Sequence, residues 1–312
     1  MSLKEVGIID VPDSTDTLFD HGAFEPKSRR VFVAHTARNS IEVIDHDAGR
    51  HLSTLPGFPE AAGVVADEGQ VLITNRGAAR LAWIDAHTLE TRSVLDTGPR
   101  PNGVAIISRL KLAVVACLGD ETHSPVLQVL NLETHQRWAI DLPGRPRWCV
   151  TDISGTRVFL AVQEPSMVLV ARLPELDEVH HWKLSPSGAH GIDIDHRANR
   201  LYVACDGGAL VELETSTGEV RGEWPLSGVP DATFFNPPAA FYMSQLVSRG
   251  WSNPSIHTLV RALNLRRRPA LRRRRSSPLK AFMCSRQLTA GFWFSLKGSK
   301  PSESAHNLTM IL

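Results

Sequence analysis

The sequence predicts an all-β fold assembled from repeats, and three observations support this prediction. One phrase of about 41 residues recurs five times between residues 30 and 236. Its apolar runs are short, rich in β-branched residues and bounded by Gly, Pro, Asn and Asp, which is typical of strands. No window of the chain shows the long stripe of period 3.6 that a helix requires. We therefore expect almost no helix.

Two apolar runs define each repeat. The first run stands at 30–34 (RVFVA), 70–74 (QVLIT), 111–115 (KLAVV), 157–161 (RVFLA) and 200–204 (RLYVA). The second run stands at 41–45 (IEVID), 81–85 (LAWID), 126–131 (VLQVLN), 167–170 (MVLV) and 210–214 (LVELE). A short segment of small residues precedes the first run, and a weaker strand follows the second. Each repeat thus predicts four short strands.

Four short strands at a period of about 40 residues are the signature of a β-propeller, because one blade cannot bury both of its faces alone. We predict blades at 22–57, 62–97, 102–142, 147–184 and 190–226, and a partial sixth blade at 231–243. Glycines such as Gly63 and Gly103 are expected in the innermost strands, which crowd around the axis. Residues 5–10 are predicted to form an outermost strand that closes the ring with the last blade.

The repeated phrase resembles a known family. Arg-Leu-Tyr-Val-Ala at 200–204, a gap, an apolar run ending in an acidic residue and Thr-Gly at 217–218 resemble the YVTN-type β-propeller repeats of YncE-like proteins. The resemblance covers about 5–243, and Leu173-Pro174 departs from it by replacing the usual Asp at the end of the strand. It implies the propeller fold but no single activity, since such propellers serve in ligand binding, lactone hydrolysis, lyase chemistry and scaffolding.

Charge divides the chain near residue 241. Residues 1–240 hold 21 Lys and Arg against 32 Asp and Glu, whereas residues 241–312 hold 13 against 1. The net charges are therefore −11 and +12, and the overall value of +1 is a cancellation. Residues 244–312 carry basic runs at 266–268 and 272–275 but no repeat phrase, so we predict an irregular tail. A basic arm for nucleic acid is one interpretation of it, though not the one we expect.

A frameshift is the interpretation that we favour for this tail. Ordinary codons for residues 244–260, read in a frame that begins at the last base of the Met243 codon, can spell VAIGEPGLVEPFDTHTG. This string restores the Val-Ala, the Gly-bearing gap, the Asp and the Thr-Gly of a sixth blade. We therefore hypothesise a frameshift near Phe241 and a parent protein of seven blades. An unclosed ring would expose strand edges, so we expect a monomer that is prone to aggregation.

Polar residues are predicted to converge at the mouth of the central channel. Turns into the innermost strands and turns after the second strands emerge on the same face of a propeller. The first set supplies His21, Ala62, Asn102, Arg147, His190 and Asp231, and the second supplies His35, Asn75, Arg76, Cys117, Gln163, Glu164, Cys205 and Asp206. We expect an ion pair between Arg147 and Asp231. A mouth of this kind predicts binding of a small ligand or a protein partner.

Enzymatic chemistry is the alternative for this mouth. His21, His35 and His190 are candidate ligands for a divalent metal, which would favour a metal-dependent hydrolase or lyase. Imidazoles titrate near neutrality, so they also suit acid–base catalysis. We assign no catalytic residue and no cofactor from the sequence, because loop residues at a channel mouth are commonly polar for the simple reason that they are exposed to water.

The compartment is predicted from the N-terminus and the cysteines. The chain begins without a cationic segment followed by an apolar stretch, and no run reaches the length of a membrane span. Cys117, Cys149, Cys205 and Cys284 form no closely spaced pair. We expect a cytoplasmic protein with reduced thiols and no membrane partner.

Overall fold

Strands dominate the described part of the chain. The computed structural model describes residues 5–12, 18–226 and 228–236, together with strands at 241–247, 261–264, 293–296 and 307–311. The helical segments within these residues are three single turns of 3-10 helix, Thr36–Arg38, Arg76–Ala78 and Ser108–Leu110. The prediction of an all-β chain with almost no helix is confirmed.

Five antiparallel sheets of four strands each follow strand β1, Glu5–Asp10, and we call them blades 1 to 5. In each blade the strands pair in chain order from the innermost to the outermost. Blade 1 comprises β2 Gly22–Glu25, β3 Arg30–His35, β4 Ser40–Asp45 and β5 Arg50–Pro56. Blade 2 comprises β6 Ala61–Asp67, β7 Gln70–Asn75, β8 Arg80–Asp85 and β9 Thr91–Asp96, and blade 3 comprises β10 Pro101–Ile107, β11 Leu112–Cys117, β12 Val126–Asn131 and β13 Arg137–Asp141. Blade 4 comprises β14 Pro146–Thr151, β15 Arg157–Val162, β16 Met167–Arg172 and β17 His180–Lys183, and blade 5 comprises β18 Ala189–Asp195, β19 Arg200–Cys205, β20 Ala209–Glu214 and β21 Val220–Pro225.

Two further sheets have three strands each among the described residues. Blade 6 pairs β22 Val229–Asn236 with β23 Phe241–Val247, and β23 with β24 Arg261–Asn264. Strand β1 pairs antiparallel with β26 Asn307–Ile311, which pairs in turn with β25 Trp293–Leu296. The irregular tail expected at 244–312 falls mostly outside the described residues, and the short strands just named are the part of it that the structure describes.

The blades bury their middle strands between neighbours and expose their outermost strands. All six residues of β7 are buried, whereas β9 at the rim is mostly exposed. Phe32 and Ile41 of blade 1 pack against Val64 and Ile73 of blade 2, and similar clusters fill the spaces between later blades. A strand buried on both faces reads as a continuous apolar run, which is why the middle strands give the strongest signal in the sequence.

Arginines at the start of two second strands connect neighbouring blades. Arg30 Nη1 donates to the carbonyls of Ala86 and His87 in blade 2, at 2.9 and 2.6 Å. Arg157 Nη1 of blade 4 donates to the carbonyl of Thr215 in blade 5 at 2.8 Å. The two arginines occupy equivalent positions in the repeat, so the same hydrogen bond helps to hold two different pairs of blades together.

The innermost strands approach one another so closely that only glycine fits at some positions. A Cβ atom on Gly63 would lie 2.2 Å from the carbonyl oxygen of Asn102 in blade 3, and one on Gly103 would lie 2.3 Å from the carbonyl oxygen of Arg147 in blade 4. The Thr74 hydroxyl also bridges this contact, because it accepts from the Gly63 amide at 2.7 Å and donates to the Asn102 carbonyl at 2.9 Å. Successive innermost strands are therefore fixed side by side around one axis.

Substitution Gly63→Ala should destabilise the protein by about 1–3 kcal/mol or more, because the new methyl group meets backbone that cannot move aside without shifting a whole blade. Gly77→Ala is the matched control, since its Cβ would come no closer than 3.2 Å to any atom, at Glu60 Cγ, and would meet backbone only at 3.4 Å. Urea unfolding monitored by tryptophan fluorescence measures both variants. Equal midpoints for the two would contradict the proposed backbone contact.

Candidate functional site

Polar side chains from blades 2, 4, 5 and 6 and from the segment before β2 meet on one face of the ring, together with the Trp148 indole. They stand just before or at the start of the innermost strands, and in the turns that follow the second strands. We call the recess that they line the funnel; its residues are Asp20, His21, Arg76, Arg147, Trp148, Gln163, His190, Asp206 and Asp231.

The first group of the funnel centres on His21. Its Nδ1 donates to Asp20 Oδ1 at 2.6 Å, and the other oxygen of Asp20 pairs with Arg76 of blade 2. The imidazole stacks on the Trp148 indole of blade 4, with ring centroids 4.1 Å apart and an interplanar angle of 4°. Residues 127 positions apart in the chain thus meet face to face at the axis.

The second group centres on His190. Its Nδ1 donates to Asp206 Oδ1 at 2.8 Å, and its Nε2 lies 3.7 Å from Asp231 Oδ1. The other oxygen of Asp206 accepts from Gln163 Nε2 at 2.5 Å, and Gln163 Oε1 accepts from Arg147 Nε at 3.0 Å. A continuous line of hydrogen bonds therefore runs from His190 in blade 5 to Arg147 in blade 4.

The two histidines titrate in opposite directions from their ordinary value. Burial alone would lower the pKa of His21, but the hydrogen bond and charge of Asp20, with the charge of Asp231, raise this pKa above 6.5. Burial and the positive charge of Arg147 lower the pKa of His190 below 6.5, against the opposing effect of Asp206 and Asp231. His21 therefore favours its cationic form and His190 its neutral form, relative to an ordinary imidazole.

His35 and Asn75 lie inside their blades and not in the funnel. His35 is the last residue of β3; 1% of its side chain is exposed, its Nδ1 donates to Glu42 Oε1 at 2.7 Å, and Phe19 stacks on its ring. Asn75 ends β7 in the equivalent position and is buried as well. The next residue, Arg76, is the one that reaches the funnel. Side chains alternate across a strand, so one step along the chain decides between a blade face and the channel.

Asn102 and Glu164 do not join the hydrogen-bonded groups. Asn102 contributes its backbone carbonyl to Thr74 and leaves its half-buried side chain without a hydrogen bond to the described residues. Glu164 is exposed in the turn after β15 and makes no ion pair with any funnel residue that the structure describes. The expected ion pair between Arg147 and Asp231 is also not formed, because Asp231 approaches His190 instead.

Solved structures resemble this architecture. Hydrazine synthase from Kuenenia stuttgartiensis matches with a TM-score of 0.66 at 12% identity, over 72% of this chain and 79% of the other. A streptogramin B lyase structure matches with a TM-score of 0.65 at 13% identity, over 76% and 79%. A chain of a nidogen/laminin complex gives 0.57 at 10%, over 67% and 80%.

The protein is a β-propeller. The three neighbours share that fold, and the blade topology described above agrees with it. At identities of 10–13% the likeness shows the fold alone. No family model and no curated protein matches the chain.

Two residues of the funnel escaped the sequence analysis. Asp20 stands one position before the set of turn residues that were compared between blades. Trp148 occupies a position that is Gly22, Gly63, Gly103 and Gly191 in other blades, and this replacement of a small residue by the largest one is a signal in the repeat itself. A large side chain at the start of an innermost strand has no room except toward the channel or a neighbouring blade.

The three histidines that were candidate metal ligands do not converge. His21 and His190 line the funnel, whereas Glu42 holds His35 inside blade 1. Within the residues that the structure describes, no group of three or more His, Cys, Asp or Glu side chains is placed to hold a metal ion. The predicted ligand set does not fit a metal in this arrangement.

His21 should titrate above 6.5 and His190 below it, for the electrostatic reasons given above. Two-dimensional NMR spectra of the imidazole groups, recorded across pH 5–8, measure both midpoints. The variants His21→Gln and His190→Gln assign the signals. Midpoints in the reverse order would contradict the described hydrogen-bonding partners.

Proposed function

We propose that the protein binds a small ligand in the funnel. One observation carries the proposal: polar side chains that are remote in the chain, from His21 to Asp231, gather in one recess and fix each other's orientation. Convergent, oriented polar groups in a concave site are typical of ligand-binding mouths. These side chains are partly buried, which favours a small molecule over a protein partner, because a protein surface contacts exposed groups more readily than buried ones.

A hydrolase or lyase that uses the two histidines as acid and base is the second candidate, in place of the metal-dependent enzyme predicted from the sequence, because the three candidate ligands do not converge. The opposite pKa shifts of His21 and His190 favour it, because a protonated and a neutral imidazole in one recess suit an acid and a base. Assays for hydrolysis or elimination of small-molecule substrates by the purified protein separate the two candidates. Turnover that is lost in His190→Ala would favour the enzyme, and binding without turnover would favour the binding module.

We further propose that the repeats are of the YVTN type and that the parent protein has seven blades. The repeated phrase supports the first proposal, and the seven sheets among the described residues are compatible with the second. The tail beyond Phe241 is proposed to be frameshifted. Sequencing the gene across this codon tests the hypothesis: an uninterrupted, confirmed frame would refute it, whereas one missing or extra base would support it.

We also propose a cytoplasmic location with reduced thiols. Cys117, Cys149 and Cys205 are free and buried, and burial raises the pKa of each to about 12, so they behave as small apolar groups and not as nucleophiles. No helix in the described part of the chain has both the length and the apolar character that a membrane span needs. The basic runs that would bind nucleic acid lie outside the described residues, as does Cys284.

The binding proposal predicts a ligand whose affinity depends on the funnel. A panel of small metabolites of varied charge is screened for thermal stabilisation. A true ligand at about 100 times its Kd should stabilise the native protein by about 2.7 kcal/mol. Asp206→Asn removes a charged acceptor from both His190 and Gln163, and it should weaken binding at least about tenfold, since such hydrogen bonds contribute about 1.5–3 kcal/mol.

Arg172→Gln provides the control for this experiment, because Arg172 is exposed and pairs with Asp177 in the turn after β16, the third strand of blade 4. It should bind as the native protein does. Equal binding by Asp206→Asn, or no stabilisation by any member of the panel, would count against a ligand site in the funnel.

A further inference from the structure

Arg147 is a half-buried cation without an ionic partner among the described residues. Its Nε donates to the neutral Gln163 side chain at 3.0 Å, and no described carboxylate lies within 4.0 Å of its guanidinium. The other arginine of the funnel, Arg76, pairs directly with Asp20. A guanidinium has five N–H donors, so the terminal nitrogens of Arg147 retain four donors without a described partner.

Two of the nearby carboxylates are already engaged with other groups, and the third, Asp231, lies 3.7 Å from His190 and more than 4.0 Å from the Arg147 guanidinium. Both oxygens of Asp206 accept hydrogen bonds, from His190 at 2.8 Å and from Gln163 at 2.5 Å. Asp20 is shared between His21 and Arg76. Gln163 lies between Arg147 and Asp206, and its side-chain oxygen accepts from Arg147 while its side-chain nitrogen donates to Asp206. It therefore holds the guanidinium through Nε and leaves the two terminal nitrogens of Arg147 available.

A second cation strengthens this imbalance. Arg145 is exposed and stands two residues before Arg147. Its backbone carbonyl accepts from the backbone N–H of Gln163 at 2.8 Å. Burial and then the charge of Arg145 lower the pKa of Arg147, whereas the charges of Asp206, Asp231 and Asp20 oppose this. Arg145 is thus a second cation close enough to act on Arg147, and its charge adds to the attraction for an anion.

We infer that the funnel contains an anion subsite at Arg147, which takes a carboxylate or phosphate group of the ligand through the two terminal nitrogens of the guanidinium. The inference rests on the proposed ligand-binding function and adds the chemical class of the ligand. The planar fork of arginine matches both groups in a bidentate arrangement, with charge-assisted hydrogen bonds of about twice the ordinary strength. Either group would supply the negative charge that no described residue places within 4.0 Å of the Arg147 guanidinium.

Filling this subsite should change the protonation of His190. The groups that act on His190 are Arg147 from β14, Asp206 after β19 and Asp231 from β22, and Arg147 is the one that disfavours the imidazolium. A bound anion cancels that charge while both carboxylates remain. His190 should therefore take up a proton when the anion binds, and binding should strengthen as the pH falls through the range in which His190 titrates.

Inorganic phosphate and succinate are the probes, each compared with chloride at constant ionic strength. NMR follows the titration midpoint of His190 as the probe concentration rises. In the native protein and in Arg172→Gln, at least one probe should raise this midpoint in a saturable manner. The comparison of phosphate with succinate shows which oxyanion the subsite prefers.

Arg147→Gln should abolish the saturable change, and its His190 should already titrate higher than in the native protein without any probe. Arg147→Lys keeps the charge but loses the fork, so it should retain the low midpoint and bind the probes at least about tenfold more weakly. The stacking of His21 on Trp148, followed by the His21 signal, reports that each variant is folded. No saturable change in the native protein, or the same change in Arg147→Gln, would overturn the inference.

The two proposals fail in different ways. Ligands from the metabolite panel that bind equally well to Arg147→Gln would leave the funnel as a binding site and remove the anion subsite. A saturable effect of phosphate or succinate that needs Arg147, with no metabolite bound, would keep the subsite and count against the broader proposal.

Discussion

The close approach of the innermost strands around one axis is the constraint on which the rest of the structure depends. Gly63 and Gly103 each lie against the backbone carbonyl of the next blade, which leaves no room for a Cβ atom. This contact fixes the blades at a constant small separation. The turns at the ends of the innermost strands are thereby forced to the same rim. The funnel is a consequence of that packing, because none of its residues is near its partners in the chain except Asp20 and His21.

The alternation of side chains along a strand then decides which polar residues reach the rim. The last residues of the second strands face a neighbouring blade, and there a polar side chain needs a buried partner, as His35 has in Glu42. Glu42 also accepts from His51 at 2.8 Å and Thr54 at 2.6 Å, so the group is satisfied within blade 1. A residue one step further along belongs to the turn and meets the funnel. A polar residue therefore has a structural role at the end of the second strand and a candidate binding role one position later.

Charge in the funnel is distributed unevenly, although its positive and negative residues are similar in number. Asp20 compensates both His21 and Arg76, and Asp206 orients His190, but the neutral Gln163 separates Arg147 from the nearest carboxylate. In a half-buried recess, keeping a guanidinium apart from a carboxylate costs more electrostatic free energy than it would in water, since the effective dielectric constant is lower. The opposite pKa shifts of the two histidines follow from this arrangement: each imidazole takes its protonation preference from the charged side chain beside it.

The sequence by itself determined the all-β class, the repeat and the position of nearly every strand, because strands buried on both faces need continuous apolar runs and the turns between them need Gly, Asn and Asp. It also predicted that His21, Arg76, Arg147, His190, Asp206 and Asp231 stand near one rim, since turn positions can be compared between repeats. Only the tertiary structure decided which of these side chains meet. It placed His35 and Asn75 inside their blades, added Asp20 and Trp148 to the funnel, and turned Asp231 toward His190 instead of Arg147. A repeat fixes where a residue stands along its blade, whereas its partners depend on distances between blades that no single repeat contains.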